Sequence, residues 1–265
     1  MLLASAPMLA ASATDLLTSD AGSVGHEVAW ILKSRCFDKI GLMKNSILLI
    51  RHAQSANNAL PESQRVPDPG LTELGHQQAR SLADGIKRFP VAQLYCSPFR
   101  RSLDTTRPCS EALKLPVTVQ SDIYEQGGCY SGHVHGQLRG APGMNRAELQ
   151  KDYLGWEICE TIGSEGWNHG RDYETEHQAK HRAERVASRL TNGWLPAFPG
   201  EMAALVIHAD FKRILLMALL GTDRWDEHWQ AIYNTSITHL ERVGNKWQLA
   251  EWNSVTHLTP DLISD

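Results

Sequence analysis

The sequence has no Cys-x-x-Cys pair, no internal repeat and no low-complexity tract, and no apolar run reaches the roughly 20 residues that cross a bilayer. Its five cysteines (Cys36, Cys96, Cys109, Cys129 and Cys159) are odd in number and scattered. Neither a disulfide framework nor a zinc site is therefore suggested, and the pattern fits a reducing, cytoplasmic setting. There is no basic excess: the formal net charge is −4. That argues against a general nucleic-acid binder while leaving a local basic pocket open. The first segment, MLLASAPMLAASATDLL, lacks a positively charged start, and Ser5, Pro7 and Ser12 interrupt its apolar run. Residues 1–42 are thus read as an extension outside the fold. Neither a membrane nor a nucleic acid is expected as partner, and the oligomeric state is unreadable.

What remains is a 265-residue chain with 42% hydrophobic and 21% charged residues, enough for an ample core. Ser46–Ile50 reads as a buried strand ending at once in Arg51-His52. Thr72 is the predicted N-cap of a helix whose apolar stripe is Leu71, Leu74, Leu82, Ile86 and Phe89. Ala92–Cys96 is a second strand, Phe99–Leu113 a helix after the Ser97-Pro98 break, and Pro116–Gln120 a third strand. Residues 126–176 break this rhythm and read as an insertion that caps the sheet, which is how long irregular stretches in compact domains commonly function. A helix over Gln178–Leu195, a strand over Glu201–Ile207 and a helix over Phe211–Leu220 follow. A hairpin (Ser236–Glu241, Lys246–Glu251) turning at Gly244-Asn245 closes the series. Strand–helix alternation predicts a three-layer α/β/α fold with a mainly parallel sheet. The domain is expected over 43–258, with 259–265 as a tail.

Parallel strands point their carboxyl ends the same way, and ligands bind outside those ends. Arg51-His52, Ser97-Pro98-Phe99-Arg100-Arg101, Glu125 and His208 all follow predicted strands. Two guanidiniums in one crevice suit a phosphate. A neutral imidazole can attack phosphorus, and a carboxyl group can protonate the leaving oxygen. Asp210, two residues after His208, is the rival proton donor. Arg100 is read as a solvated charge. Arg139 and Arg171 are left as possible contacts to a substrate's distal groups. His133, His135, His169, His177 and His181 include metal-ligand spacings but are read as solvated cap residues. Cys129 is read as a small buried side chain.

Five segments in order then resemble the histidine phosphatase superfamily, the phosphoglycerate-mutase-like proteins. They are Ile50-Arg51-His52-Ala53-Gln54-Ser55, Leu71-Thr72-Glu73-Leu74-Gly75-His76-Gln77-Gln78-Ala79, Ser97 to Thr105, Ile123 to Gly128, and Val206-Ile207-His208. The resemblance covers about residues 46–258 and implies a phosphoglycerate-mutase-like fold. It implies His52 as the nucleophile that becomes phosphohistidine. Arg51, Arg101 and His208 would hold the phosphoryl oxygens, Glu125 would be the proton donor, and Asn58 would line the phosphate pocket. It implies no metal and no cofactor, and a small phosphorylated substrate or phosphopeptide as partner. Two departures stand out: Ala53 and Ala209 occupy positions where the family commonly has glycine. Family mutases carry Arg-His after the acidic residue and a basic, proline-rich insertion, whereas Gln126-Gly127 follow Glu125 here. Metal-independent phosphomonoester hydrolysis is the expected activity. A mutase-type phosphotransferase and a non-catalytic phospho-ligand or protein-binding module are the alternatives.

Overall fold

The computed structural model describes residues 45–132, 137–195, 200–223 and 231–265. The extension expected over residues 1–42 lies outside them, as do His133 and His135. β1 (Ser46–Arg51) is a run of six buried residues, the pattern of a strand covered on both faces. A single helical turn, α1 (Ala56–Ala59), follows in the loop. Then come α2 (Glu73–Gly85), β2 (Val91–Cys96), α3 (Arg100–Leu113) and β3 (Val117–Val119). The Thr72 side chain accepts a hydrogen bond from the Gly75 N–H at 3.0 Å, the cap expected for α2. The helix ends at Gly85, four residues short of the expected end at Phe89, and a 3-10 turn over Ile86–Arg88 completes the stripe.

The insertion holds a two-stranded ribbon, β4 (Tyr130–Ser131) with β5 (Arg139–Gly140), then α4 (Arg146–Asp152) and β6 (Glu157–Ile158). β6 does not cap the sheet. It joins it as an edge, pairing Thr118 with Glu157 and Val119 with Ile158. Two residues are too few for any periodic signal in the sequence. The fold closes with α5 (Glu176–Asn192), β7 (Met202–Ile207), α6 (Ala209–Leu220), β8 (Ile237–Val243) and β9 (Lys246–Ser254). The seven-stranded sheet has the order β6-β3-β2-β7-β1-β8-β9. The first five strands are parallel, and the β8–β9 hairpin turns at Gly244-Asn245 and adds antiparallel.

Alternation along β1 splits the core. Leu48 and Ile50 pack with Leu82 and Ile86 after β1 and with Leu103 of α3 on one face. Ile47 and Leu49 pack with Ala183, Val186 and Leu190 of α5 and Leu215 of α6 on the other. This double coverage makes the sheet rigid and leaves only its carboxyl edge for a ligand. The insertion is tied down by Trp167, which is buried, 4.7 Å from the Phe99 ring and 5.4 Å from the Tyr124 ring. Gly143 adopts φ +69° directly against that indole, where any Cβ would overlap it. Residues 259–265 fold back rather than trail away. Gln78 Nε2 donates to Leu262 O and Ser264 Oγ, and the Asn234 N–H donates to Ser264 O at 2.8 Å.

Candidate active site

β1 delivers Arg51 and, one residue on, His52; both are buried. Nδ1 of His52 lies 2.7 Å from the Ala53 carbonyl oxygen. A carbonyl only accepts, so Nδ1 carries the proton and Nε2 presents its lone pair. Arg101 Nε donates to that Nε2 at 3.2 Å. Burial, then the Arg101 and Arg51 charges, hold the His52 pKa well below the usual imidazole range. Its ring is therefore neutral and nucleophilic around neutral pH.

The backbone that carries the ring is held from several sides. Asn234 Nδ2 donates to the His52 carbonyl at 3.0 Å. The Ala53 N–H donates to Thr105 Oγ1, which in turn donates to the Arg101 carbonyl. Arg51 is anchored by Nη1 to the Ile232 carbonyl, while its buried Nε has no partner among the described residues. A buried, unpartnered guanidinium donor at a cavity wall is a site for an anion. Arg101 sits in the first turn of α3 with its guanidinium 3.9 Å from the Phe99 ring centre. The Asp68 carboxylate accepts from the Arg100 N–H at 2.9 Å and so fixes the start of that helix. Burial pushes Asp68 up to about 6.

Glu125 follows β3 and meets the start of α6. Its Oε1 accepts from the Phe211 N–H at 2.9 Å and from the Gln126 N–H at 2.9 Å. Its pKa is nonetheless raised, first by burial and then by the neighbouring Asp210 carboxylate. The two N–H groups oppose that rise by favouring the charged form.

One cavity of about 340 Å³ brings together Arg51, His52, Asn58, Arg101 and Glu125, with Asp210 and Ala209 on its wall. His208 is placed differently. It follows β7 as the N-cap of α6, and its ring centre is 5.0 Å from that of His52, but it is fully buried and off the cavity wall. Its Nε2 lies 2.7 Å from Ser97 Oγ, and its Nδ1 has no partner among the described residues. Burial and the Arg101 charge hold His208 neutral, well below the usual range. Asn58 lines the cavity while its Oδ1 accepts from the N–H and hydroxyl of Ser55.

Ala53 is buried and lies off the cavity wall; its backbone N–H and C=O are what the site uses. Alanine supplies those groups as well as glycine does. Sequence reasoning missed Ser97, Thr105 and Asn234 as supports, and Asn57, Arg65, Tyr130 and Tyr173 as outer wall. Ser97 and Thr105 stand at the two ends of the Ser97 to Thr105 segment; the others carry no local signal.

The family model for the histidine phosphatase superfamily (branch 1) matches residues 47–255, and the chain belongs to that superfamily. Among curated proteins it is 36% identical over 87 residues to phosphoserine phosphatase 1 of Hydrogenobacter thermophilus, a match covering 32% of this chain and 41% of that protein. It is 30% identical over 138 residues to the 2,3-bisphosphoglycerate-dependent phosphoglycerate mutase of Thermoplasma acidophilum, covering 46% of this chain and 66% of that one. The chain thus spans less than two thirds of either relative. The solved structure of mycobacterial glucosyl-3-phosphoglycerate phosphatase with VO3 shares the fold: TM-score 0.56 and 22% identity, over 79% of this chain and 99% of that one.

Proposed function

We propose that this chain is a metal-independent phosphomonoesterase working through phosphohistidine at His52, within a catalytic domain over residues 43–258. The observation that carries the reading is the fixed tautomer: Nδ1–H held by the Ala53 carbonyl, with the Nε2 lone pair accepting from Arg101 in a cavity lined by Arg51, Arg101 and Glu125. Arg51 and Arg101 bind the phosphoryl oxygens, and Arg101 exchanges its contact with His52 Nε2 for one to the substrate. His52 Nε2 attacks phosphorus; the N–P bond forms as the P–O bond to the leaving group breaks. Glu125, whose pKa burial and the Asp210 charge raise, gives its proton to the departing oxygen. Water then attacks phosphorus; the new O–P bond forms as the N–P bond to His52 breaks, the water's proton passes to Glu125, and inorganic phosphate leaves with His52 regenerated. His208, locked by Ser97, supports His52 and the developing charge from behind the cavity wall.

The names of the relatives favour small phosphorylated acids as substrates, with Asn57, Arg65, Tyr130 and Tyr173 facing the leaving group. The unpaired cysteines among the described residues support a cytoplasmic location. Purified protein should hydrolyse p-nitrophenyl phosphate in excess chelator, and His52→Ala should abolish this while Asp210→Asn retains turnover. Acid-quenched enzyme should carry phosphate on His52. Loss of activity in chelator, or full activity of His52→Ala, refutes the mechanism. The mutase relative motivates a second assay, phosphoglycerate isomerisation, in which net phosphate release should dominate.

A further inference from the structure

Helix α5 carries a feature outside the hydrolytic site. His177 and His181 stand one turn apart on its exposed face, where i and i+4 side chains are neighbours. Their Nε2 atoms approach to 3.2 Å, with ring centres 4.5 Å apart and planes at 88°. One turn further, the Glu184 carboxylate lies 3.2 Å from His181 Nδ1. A carboxylate only accepts, so Nδ1 of His181 carries its proton and Nε2 of His181 presents a lone pair to His177. In the metal-free molecule, His177 Nε2–H then donates to it.

This is the arrangement a metal uses. Two imidazole nitrogens, each about 2.05 Å from a tetrahedral zinc ion, stand roughly 3.3 Å apart. The observed 3.2 Å matches without helix distortion. Metal-ligating histidines characteristically give their other N–H to a carboxylate, which fixes the ring and raises its basicity. Glu184 fills that place for His181. Moving the His177 proton from Nε2 to Nδ1 frees the second lone pair, and small turns of both rings let the two Nε2 lone pairs converge on a cation beside the line that joins them.

We propose that His177 and His181, oriented by Glu184, form a two-histidine site for a borderline-soft divalent cation such as Zn²⁺. Among the described residues no cluster of three metal ligands occurs. The remaining coordination positions therefore go to water or to an oxygen donor brought by a ligand. His181 also lines a second cavity, of about 440 Å³, with Arg171, Asp172 and Arg185. That cavity shares Gly128 and Tyr173 with the wall of the hydrolytic one. The metal site is thus separate from the phosphoryl pocket and opens toward its neighbour.

The test is calorimetric titration of tag-free, full-length protein with ZnCl₂, NiCl₂, CuCl₂, MnCl₂ and MgCl₂ in chelator-treated buffer. Saturable binding of Cu²⁺, Ni²⁺ and Zn²⁺ is expected, with Mn²⁺ weaker and Mg²⁺ without effect, the order imidazole donors impose. His177→Ala and His181→Ala should each remove it, and Glu184→Gln should weaken it about tenfold. These exposed substitutions should leave circular dichroism and p-nitrophenyl phosphate hydrolysis unchanged. Absence of saturable Zn²⁺ binding, its persistence in both alanine variants, or equal binding of Mg²⁺ overturns the proposal. Failure here leaves the hydrolytic reading intact, because that reading turns on His52 in excess chelator.

Discussion

Replacing Arg182 with methionine tests how Glu125 is held in place. Arg182 is buried on α5, with Nε and Nη2 donating to the two carboxylate oxygens of Glu174 at 2.8 and 2.6 Å. Its Nη1 donates to the Asp122 and Tyr124 carbonyls at 2.9 and 3.0 Å. The guanidinium also lies 3.7 Å from the Tyr124 ring centre and 4.1 Å from that of Phe211. Methionine keeps the stem's packing and removes every donor. Glu174, whose side chain is only 10% exposed, is left as a nearly buried charge, and two carbonyls lose their partner. Breaking a buried pair from one side costs about 3–5 kcal/mol, far more than a surface ion pair. For a domain of this size that is a fall in Tm of about 6–20 °C. Urea unfolding followed by tryptophan fluorescence measures it. Glu174→Gln added to Arg182→Met should restore at least about 1 kcal/mol, because the orphaned charge is then gone. Since Tyr124 precedes Glu125, kcat should fall more than KM rises. A loss below about 1 kcal/mol for Arg182→Met, or strict additivity of the two substitutions, refutes this account.

Two other expectations concern the chemistry. Hydrolysis needs neutral His52, whose pKa is lowered, and protonated Glu125, whose pKa is raised. Activity should therefore persist into acid and fall as pH rises through the Glu125 pKa. Asp210→Asn removes a like charge and should move that alkaline limb down by about 0.5–1 pH unit; abolished activity would make Asp210 the donor instead. Ser97→Ala unties His208 Nε2 and should lower kcat five- to thirtyfold, about 1–2 kcal/mol. Unchanged kcat would remove Ser97 and His208 from the mechanism.

The layout was legible where the chain obeys strong local rules. β1 declares itself as a run of apolar residues with a charge at its end, and Thr72 as a helix cap. The ends of β1, β2 and β3 do bring Arg51, His52, Arg101 and Glu125 to one cavity, because parallel strands share a direction. β6 was not legible, since an edge strand of two residues leaves no period. Nor was the burial of His208: sequence position puts it at the right strand end, but its packing against His52, Ser97 and Phe99 is tertiary. The supports Thr105 and Asn234 act through backbone groups of residues far off in the chain, a relation that no local pattern encodes. The His177–His181 pair shows the converse. Its spacing was visible, but the role of Glu184 became readable only from side-chain geometry.

The central place of β1 has a consequence for how the protein is made. Its neighbours in the sheet are β7, starting at Met202, and β8, starting at Ile237. On the ribosome, the strand that leads into the predicted nucleophile emerges first among the sheet strands and must wait for most of the chain before either edge is paired. A six-residue strand with four consecutive apolar residues and open backbone groups is an aggregation hazard during that interval. Assembly of the pocket around His52 is therefore a late event in biosynthesis. Variants that weaken β7 or the β8–β9 hairpin should lower soluble yield more than the equilibrium stability of the finished molecule suggests.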